Sequence, residues 1–133
     1  LRVLQRTLPR LPVLAADTTV CIGDCVFGKP ATREAAAGML RALSGQEHRV
    51  LTAVAVAWES GVELIVNENR VRFRELTDAE IQQYIATGEP MDKAGGYAIQ
   101  GRAAAFIPEI LGSYTGVMGL PLYETAMLLA KYR

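Results

Sequence analysis

Hydrophobic and polar residues alternate most regularly over residues 49–58, and this segment organises the predicted fold. Val50, Thr52, Val54 and Val56 share one face, and the intervening positions hold leucine and alanine. Side chains two positions apart on a strand lie on the same face, so a strand that is apolar on both faces belongs at the centre of a covered sheet. The next range, 62–74, alternates arginine with valine and phenylalanine at its end, which is typical of a strand with one face in water.

Shorter apolar runs predict further strands. Residues 12–16 predict a buried strand that ends at Asp17, and residues 103–107 predict another. Residues 19–22 and 25–27 flank Gly23 and Asp24, which predicts a hairpin with a two-residue turn. Residues 110–119 contain three glycines and predict a loop.

Capping residues predict the helices. Thr32 would cap a helix over residues 33–43, and Thr77 with Glu80 forms a capping box for a helix that runs to about Thr87. Pro121 is suited to the first position of a last helix, over residues 122–132, and residues 1–10 have the pattern of a helix already under way. Strands and helices at this spacing predict an α/β protein, with a mixed, twisted sheet flanked by helices in a single domain over residues 1–133.

Composition narrows the possible functions. The 133 residues carry fourteen basic and fourteen acidic side chains, and this balance argues against a nucleic-acid partner or an acidic membrane surface. His48 is the only histidine, so no histidine and cysteine cluster predicts a zinc site. Two cysteines, Cys21 and Cys25, are interpreted as reduced thiols of a cytoplasmic protein. No apolar run approaches the ~18 residues of a membrane span.

Four polar side chains are candidates for chemistry, and each has a structural alternative. Asp17 at a strand end could face a ligand or cap a turn. Lys29, between glycine and proline, could bind an anion or be solvated. Lys93 could bind an anion, or it could form an ion pair with its neighbour Asp92 in a surface turn. Gln100 can donate and accept hydrogen bonds together, as recognition of a nucleobase edge requires, or it could be a structural amide.

Taken together, these residues carry a family resemblance. The segments LAADTTV, GKP, MLRALSGQEHRVLTAVAV, FRELTDAEIQQYIATGEPMDKAGGYAIQG and GSYTGVMGLPLYET resemble the Maf family of nucleotide pyrophosphatases, over essentially all of residues 12–130. The resemblance implies hydrolysis of nucleoside triphosphates between the α and β phosphates, with a divalent metal (Mg or Mn). It also implies a homodimer and an α/β fold with a cleft between two lobes, like that of inosine-triphosphate pyrophosphatases.

The resemblance also implies a role for individual residues. Asp17 matches the family's catalytic acid, a proton acceptor that could also touch the metal. Lys29 and Lys93 match lysines that face the phosphates. Thr18 and Gln100 match the residues of the subgroup that acts on dTTP and UTP.

One family feature has no counterpart in these residues. The family begins with a serine-rich loop ending in Pro-Arg-Arg and a further segment, which would supply arginines for the triphosphate. We therefore expect that these 133 residues are either part of a longer protein or a shortened homologue of the family. The alternative function is a weakly active or inactive nucleotide-binding regulator of septum formation and cell division.

Overall fold

A computed structural model describes residues 13–58 and 61–131. The helix predicted at the start of the chain therefore lies outside the described residues, as does the predicted end of the last helix at Tyr132.

The centre of the fold is a five-stranded sheet. Its strands are β1 (Val13–Ile22), β2 (Cys25–Phe27), β3 (Glu47–Trp58), β4 (Gly61–Arg72) and β5 (Glu109–Leu111), in the order β2-β1-β3-β4-β5. The expectation that β3 is central is confirmed. The predicted hairpin is confirmed as well, because Ile22 pairs with Cys25 across the Gly23-Asp24 turn.

Two expectations about the sheet need correction. The α/β class holds, but each of the four pairings among the described strands is antiparallel, so no parallel pair among them makes the sheet mixed. The strand expected to end at Asp17 continues to Ile22. It continues because Asp17 and Thr18 pair with Ala53 and Thr52 of β3, and this long-range register outweighs the local signal of a turn.

The part of the chain that the structure describes contains four α-helices, all on segments with recognisable caps or breakers. They are α1 (Arg33–Leu43), α2 (Asp78–Ala86), α3 (Tyr114–Met118) and α4 (Leu122–Ala130). The Thr32 cap and the complete Thr77–Glu80 capping box are as predicted. Pro121 takes the N-cap position of α4, one position earlier than expected.

The segment between α2 and β5 differs from its prediction. Three short 3-10 turns occupy Glu89–Asp92, Ala94–Gly96 and Arg102–Phe106, so the strand predicted over residues 103–107 is wrong. Three successive alanines there lack the β-branched side chains that favour a strand. The strand Glu109–Leu111 and helix α3 instead lie in the range predicted as a loop.

Two apolar clusters cover one face of the sheet, and a polar residue separates them. Val50 belongs to the larger cluster with α1 and α2, whereas Val54 and Val56 pack with Leu128 of α4. Thr52 lies between them on the same face of β3, fully buried. The other face of β3 is only half-buried, so its expected coverage on both sides is partial.

Three further observations agree with the predictions from the sequence. Arg70 and Arg72 of β4 are exposed while Val71 is buried, as expected for a strand with one wet face. Cys21 and Cys25 are both free thiols. Within residues 13–58 and 61–131, no helix is both long and apolar enough to cross a membrane.

Candidate nucleotide site

A cleft opens where the sheet, the β2–α1 connection and the 3-10 turns meet. Its floor comes from β1 and β3, and its far wall from α3. The cleft is lined by Ala16, Asp17, Thr18, Val20, Lys29, Val50, Asp92, Lys93, Ala94, Tyr97, Ala98, Ile99, Gln100, Val117 and Met118. All five residues singled out in the sequence, Asp17, Thr18, Lys29, Lys93 and Gln100, therefore border one cleft.

Asp17 lies within β1, opposite Ala53, and its side chain is exposed. The pairing between β1 and β2 covers only Val20–Ile22. Among the described strands, the outer edge of β1 at Asp17 is therefore unpaired, so a ligand can approach this carboxylate from solvent.

Lys29 is exposed on the connection between β2 and α1. The connection is tied to the 3-10 turns, because the Gly95 amide donates to the Gly28 carbonyl at 3.0 Å. This bond joins the two segments that carry Lys29 and Lys93, which are far apart in sequence and both line the cleft.

Gly95 is required at this junction. Its φ of 75° is in the left-handed region, and a Cβ there would lie 2.8 Å from the Val20 side chain. A residue with a side chain would therefore push the turn away from the sheet, and Lys93 would move with it.

Lys93 is partly exposed and lies next to Asp92, with 3.7 Å between its Nζ and the Asp92 carboxylate. The predicted surface ion pair is thus present, and both partners also line the cleft. An exposed pair of this length contributes little to stability, so the ammonium group is available to another anion.

Buried hydrogen bonds at Tyr97 and Ala98 anchor the segment that leads to Gln100. The Tyr97 hydroxyl lies 2.6 Å from His48 Nε2, and the Ala98 amide donates to the Tyr84 hydroxyl at 3.0 Å. Burial raises the pKa of both tyrosines, so both hydroxyls stay protonated at neutral pH. Gln100 itself is exposed at the end of this anchored segment.

Thr18 approaches the cleft from the floor. Its hydroxyl oxygen lies 3.1 Å from that of Thr52, which in turn donates to the Gly116 carbonyl at 2.8 Å. Thr18 is half-buried and Thr52 is fully buried, so this chain of hydrogen bonds runs from the cleft into the core.

Some cleft residues were not predicted as part of a site. Asp92 was interpreted only as a member of a surface pair, although its place beside Lys93 could have suggested a second carboxylate. The apolar wall of Val117 and Met118 comes from a segment predicted as a loop, and no local signal indicates that it meets β1.

The number of acidic side chains in the cleft limits how a metal ion could be bound there. Within the described parts of the chain, no group of three or more histidine, cysteine, aspartate or glutamate side chains could enclose an ion. Mg²⁺ often binds through one or two carboxylates together with substrate phosphates and water. Two acidic residues, Asp17 and Asp92, line the cleft, which is the number that such an arrangement uses.

The fold and the cleft define an α/β protein whose site combines two carboxylates, two ammonium groups, a hydroxyl and a side-chain amide. The chain belongs to the family of Maf-like proteins, whose sequence profile matches residues 2–132.

Curated relatives agree with this assignment. The chain is 57% identical over 131 residues to a dTTP/UTP pyrophosphatase of Ralstonia nicotianae, covering 98% of this chain and 63% of the relative. It is 58% identical over 129 residues to a dTTP/UTP pyrophosphatase of Nitrosomonas europaea, which covers 97% of this chain and 62% of the relative. It is 59% identical over 125 residues to a dTTP/UTP pyrophosphatase of Bordetella parapertussis, which covers 94% of this chain and 60% of the relative. The chain thus spans about three fifths of the length of these relatives.

Proposed function

We propose that the full-length protein hydrolyses dTTP and UTP to the nucleoside monophosphate and pyrophosphate. The observation that carries the proposal is the convergence of Asp17, Thr18, Lys29, Lys93 and Gln100 on one cleft. The names of the similar proteins support the same substrates.

The two lysines provide the positive charge that the reaction needs. Cleavage of a phosphoanhydride develops negative charge on the phosphate oxygens, and fixed cations stabilise that charge. Lys29 and Lys93 lie on two loops joined by the Gly95–Gly28 hydrogen bond. They would therefore contact the phosphate chain together.

Asp17 would act on the attacking water. Its carboxylate would orient the water or accept its proton as the oxygen bonds to phosphorus, and the bond between the α and β phosphates would break. Asp17 is exposed, so water can reach this carboxylate. A divalent cation, Mg²⁺ or Mn²⁺, held by Asp17 and the substrate phosphates, would supply further charge neutralisation when bound.

Thr18 and Gln100 would recognise the pyrimidine. A hydroxyl and an amide can pair with the alternating donors and acceptors on the edge of uracil or thymine. Bases with another edge pattern would leave these groups unpaired, which is how a polar site rejects the wrong substrate.

The test is a comparison of turnover with binding. The full-length protein is incubated with dTTP, UTP and 7-methyl-GTP in the presence of Mg²⁺ or Mn²⁺, and pyrophosphate release is measured beside nucleotide affinity. We expect release from dTTP and UTP to exceed that from 7-methyl-GTP. Tight binding without release from any of the three would instead favour the nucleotide-binding regulator of cell division.

The homodimer and the cytoplasmic location stay predictions. Sedimentation of the full-length protein measures its oligomeric state. Fractionation of cells, followed by an immunoblot of each fraction, measures its location.

A further inference from the structure

Glu89 joins two parts of the cleft that are separate in the sequence. Its backbone begins the 3-10 turn Glu89–Asp92, which leads directly into Lys93. Its side chain reaches forward to a later turn, where Oε1 accepts a hydrogen bond from the Arg102 amide at 3.1 Å. Glu89 is not one of the residues that line the cleft. It therefore contacts the peptide that follows Gln100 from outside the cleft.

The turn that carries Gln100 is closed by its own backbone. The Gly101 amide donates to the Ala98 carbonyl at 3.1 Å, so residues 98–101 form a tight turn with Gln100 inside it. At the first residue of the turn, the Ala98 amide donates to the Tyr84 hydroxyl of α2 at 3.0 Å. The start of the turn is therefore fixed to a helix.

The end of this turn is fixed by Glu89. Its carboxylate accepts from the Arg102 amide and also fills the space beside Gly101, where an added Cβ would collide with it. Burial raises the pKa of the Tyr84 hydroxyl, and the neighbouring Glu89 carboxylate raises it further. One carboxylate thus contacts the end of the turn and lies near the residue that holds its start.

The distance between the two turns matters for a ligand that contacts both. Under the proposed function, Lys93 contacts the phosphates and Gln100 contacts the base of the same nucleotide. A ligand that bridges two contacts binds tightly only when their spacing matches its own length. A misplacement of about 1 Å can be enough to weaken such a site strongly.

We infer that Glu89 is a positioning residue that sets the spacing between the Lys93 turn and the Gln100 turn. This inference rests on the proposed function and deepens it. The backbone of Glu89 leads into one turn, and its carboxylate holds the peptide at the end of the other. Loss of the carboxylate should release the Gln100 turn, whereas the Lys93 turn stays tied to the sheet side of the cleft by the bond from Gly95 to Gly28.

The experiment compares a ligand that bridges the two turns with one that does not. The α,β-methylene analogue of UTP carries a base and phosphates and is not cleaved at that position, whereas imidodiphosphate carries phosphate groups alone. Calorimetric titration of the full-length protein in Mg²⁺ measures both affinities. In Glu89→Ala we expect the affinity for the UTP analogue to fall about tenfold, the worth of one hydrogen bond to a charged group. The affinity for imidodiphosphate should stay the same.

Two further variants separate the hydrogen bond from a loss of stability. Glu89→Gln keeps an oxygen that can accept from the Arg102 amide, so it should keep the wild-type affinity for both ligands. Glu80→Ala removes the carboxylate that caps α2 and pairs with Arg74, so it lowers stability without contacting the Gln100 turn. Both affinities should be unchanged in Glu80→Ala. A loss there equal to that in Glu89→Ala would trace the effect to stability and overturn the inference.

Three other results would also overturn the inference. They are wild-type affinity for the UTP analogue in Glu89→Ala, an equal loss of affinity for both ligands in that variant, and a loss of the same size in Glu89→Gln. If Glu89→Ala does not fold, Gly101→Ala takes its place, because the added Cβ displaces the carboxylate without removing it. That variant should show the same selective loss, and unchanged affinities would overturn the inference.

Failure of the proposed function would look different. A wild-type protein that binds the UTP analogue, shows the selective loss in Glu89→Ala and yet releases no pyrophosphate from dTTP would support the inference while contradicting the enzymatic activity. Release of pyrophosphate by the wild type, together with an equal loss of both affinities in Glu89→Ala, would contradict the inference alone.

Discussion

His48 Nε2 lies 2.6 Å from the Tyr97 hydroxyl, and this buried contact joins the central strand to the segment that presents Gln100. The two rings also pack edge to face with Phe73, at centroid distances of 5.3 Å for His48 and 4.9 Å for Tyr97. The one histidine of the chain therefore has a structural role behind the cleft, and it does not line the cleft itself.

The burial of His48 predicts a pH dependence of stability. Burial lowers the pKa of His48 to about 4, because a charged imidazolium would lose its hydration there. The unfolded chain binds a proton near its usual pKa of about 6.5, whereas the folded chain does not until about pH 4. The unfolded state thus binds more protons in this window, so stability should fall as the pH falls, by about 2 kcal/mol between about pH 7 and about pH 4.5.

Denaturant titrations across this pH range measure the effect. His48→Gln carries no titrating group and should show a flatter dependence over the same range. An equally steep dependence in His48→Gln would assign the effect to other groups.

Adding a side chain at Gly95 should lower the stability of the protein. Gly95→Ala places a Cβ against Val20 and forces alanine into a left-handed backbone, so we expect a loss of about 3 kcal/mol from overpacking and strain together. Gly38→Ala is the matched control, because Gly38 lies in α1 with nothing within 4 Å of an added Cβ. That change should stabilise the protein by up to about 1 kcal/mol. Similar midpoints of denaturation for both variants would contradict the tight approach of the turn to the sheet.

The three lysines of the chain allow a controlled test of phosphate binding. Lys29→Gln and Lys93→Gln should each weaken nucleotide binding about tenfold, because each removes a charge-assisted contact. Lys131→Gln serves as the control, since Lys131 pairs with Glu63 at 3.2 Å, away from the cleft. Calorimetric titration with dTTP measures the affinities. Equal affinities in all three variants would place the phosphates elsewhere.

Thr18 and Gln100 should together determine the substrate. Replacing both, as in Thr18→Val with Gln100→Leu, removes the groups that pair with a pyrimidine edge and should shift turnover toward purine nucleotides. Rates of pyrophosphate release with dTTP, UTP, ATP and GTP measure the shift. A substrate profile identical to that of the wild type would remove both residues from the recognition site.

Helices α1 and α2 could be predicted from the sequence because their signals are local. Thr32, and Thr77 with Glu80, supply side chains that satisfy the first free amides of α1 and α2, and those hydrogen bonds form within a few residues. The continuation of β1 through Asp17 depends on its register with Ala53, a contact between distant segments. No local pattern contains that information.

The candidate residues could be named from the sequence, but their assembly into one cleft could not, and their roles stay predictions. The five chosen side chains do meet in one cleft, and family resemblance was needed to choose them over their structural alternatives. The Thr18–Thr52–Gly116 chain of hydrogen bonds joins three distant segments, so it becomes visible only in the folded structure. The same holds for the wall that Val117 and Met118 provide.

The proposed hydrolysis of dTTP and UTP in this cleft, with Asp17 acting on the water, can be tested by pyrophosphate release from dTTP in the full-length protein. Asp17→Asn keeps the size of the side chain and removes its basicity, so we expect release to fall at least about 100-fold while nucleotide binding stays measurable. Asp24→Asn, in the exposed hairpin turn outside the cleft, should keep the wild-type rate. Near-native release by Asp17→Asn would rule out the proposed role of Asp17 in the hydrolysis.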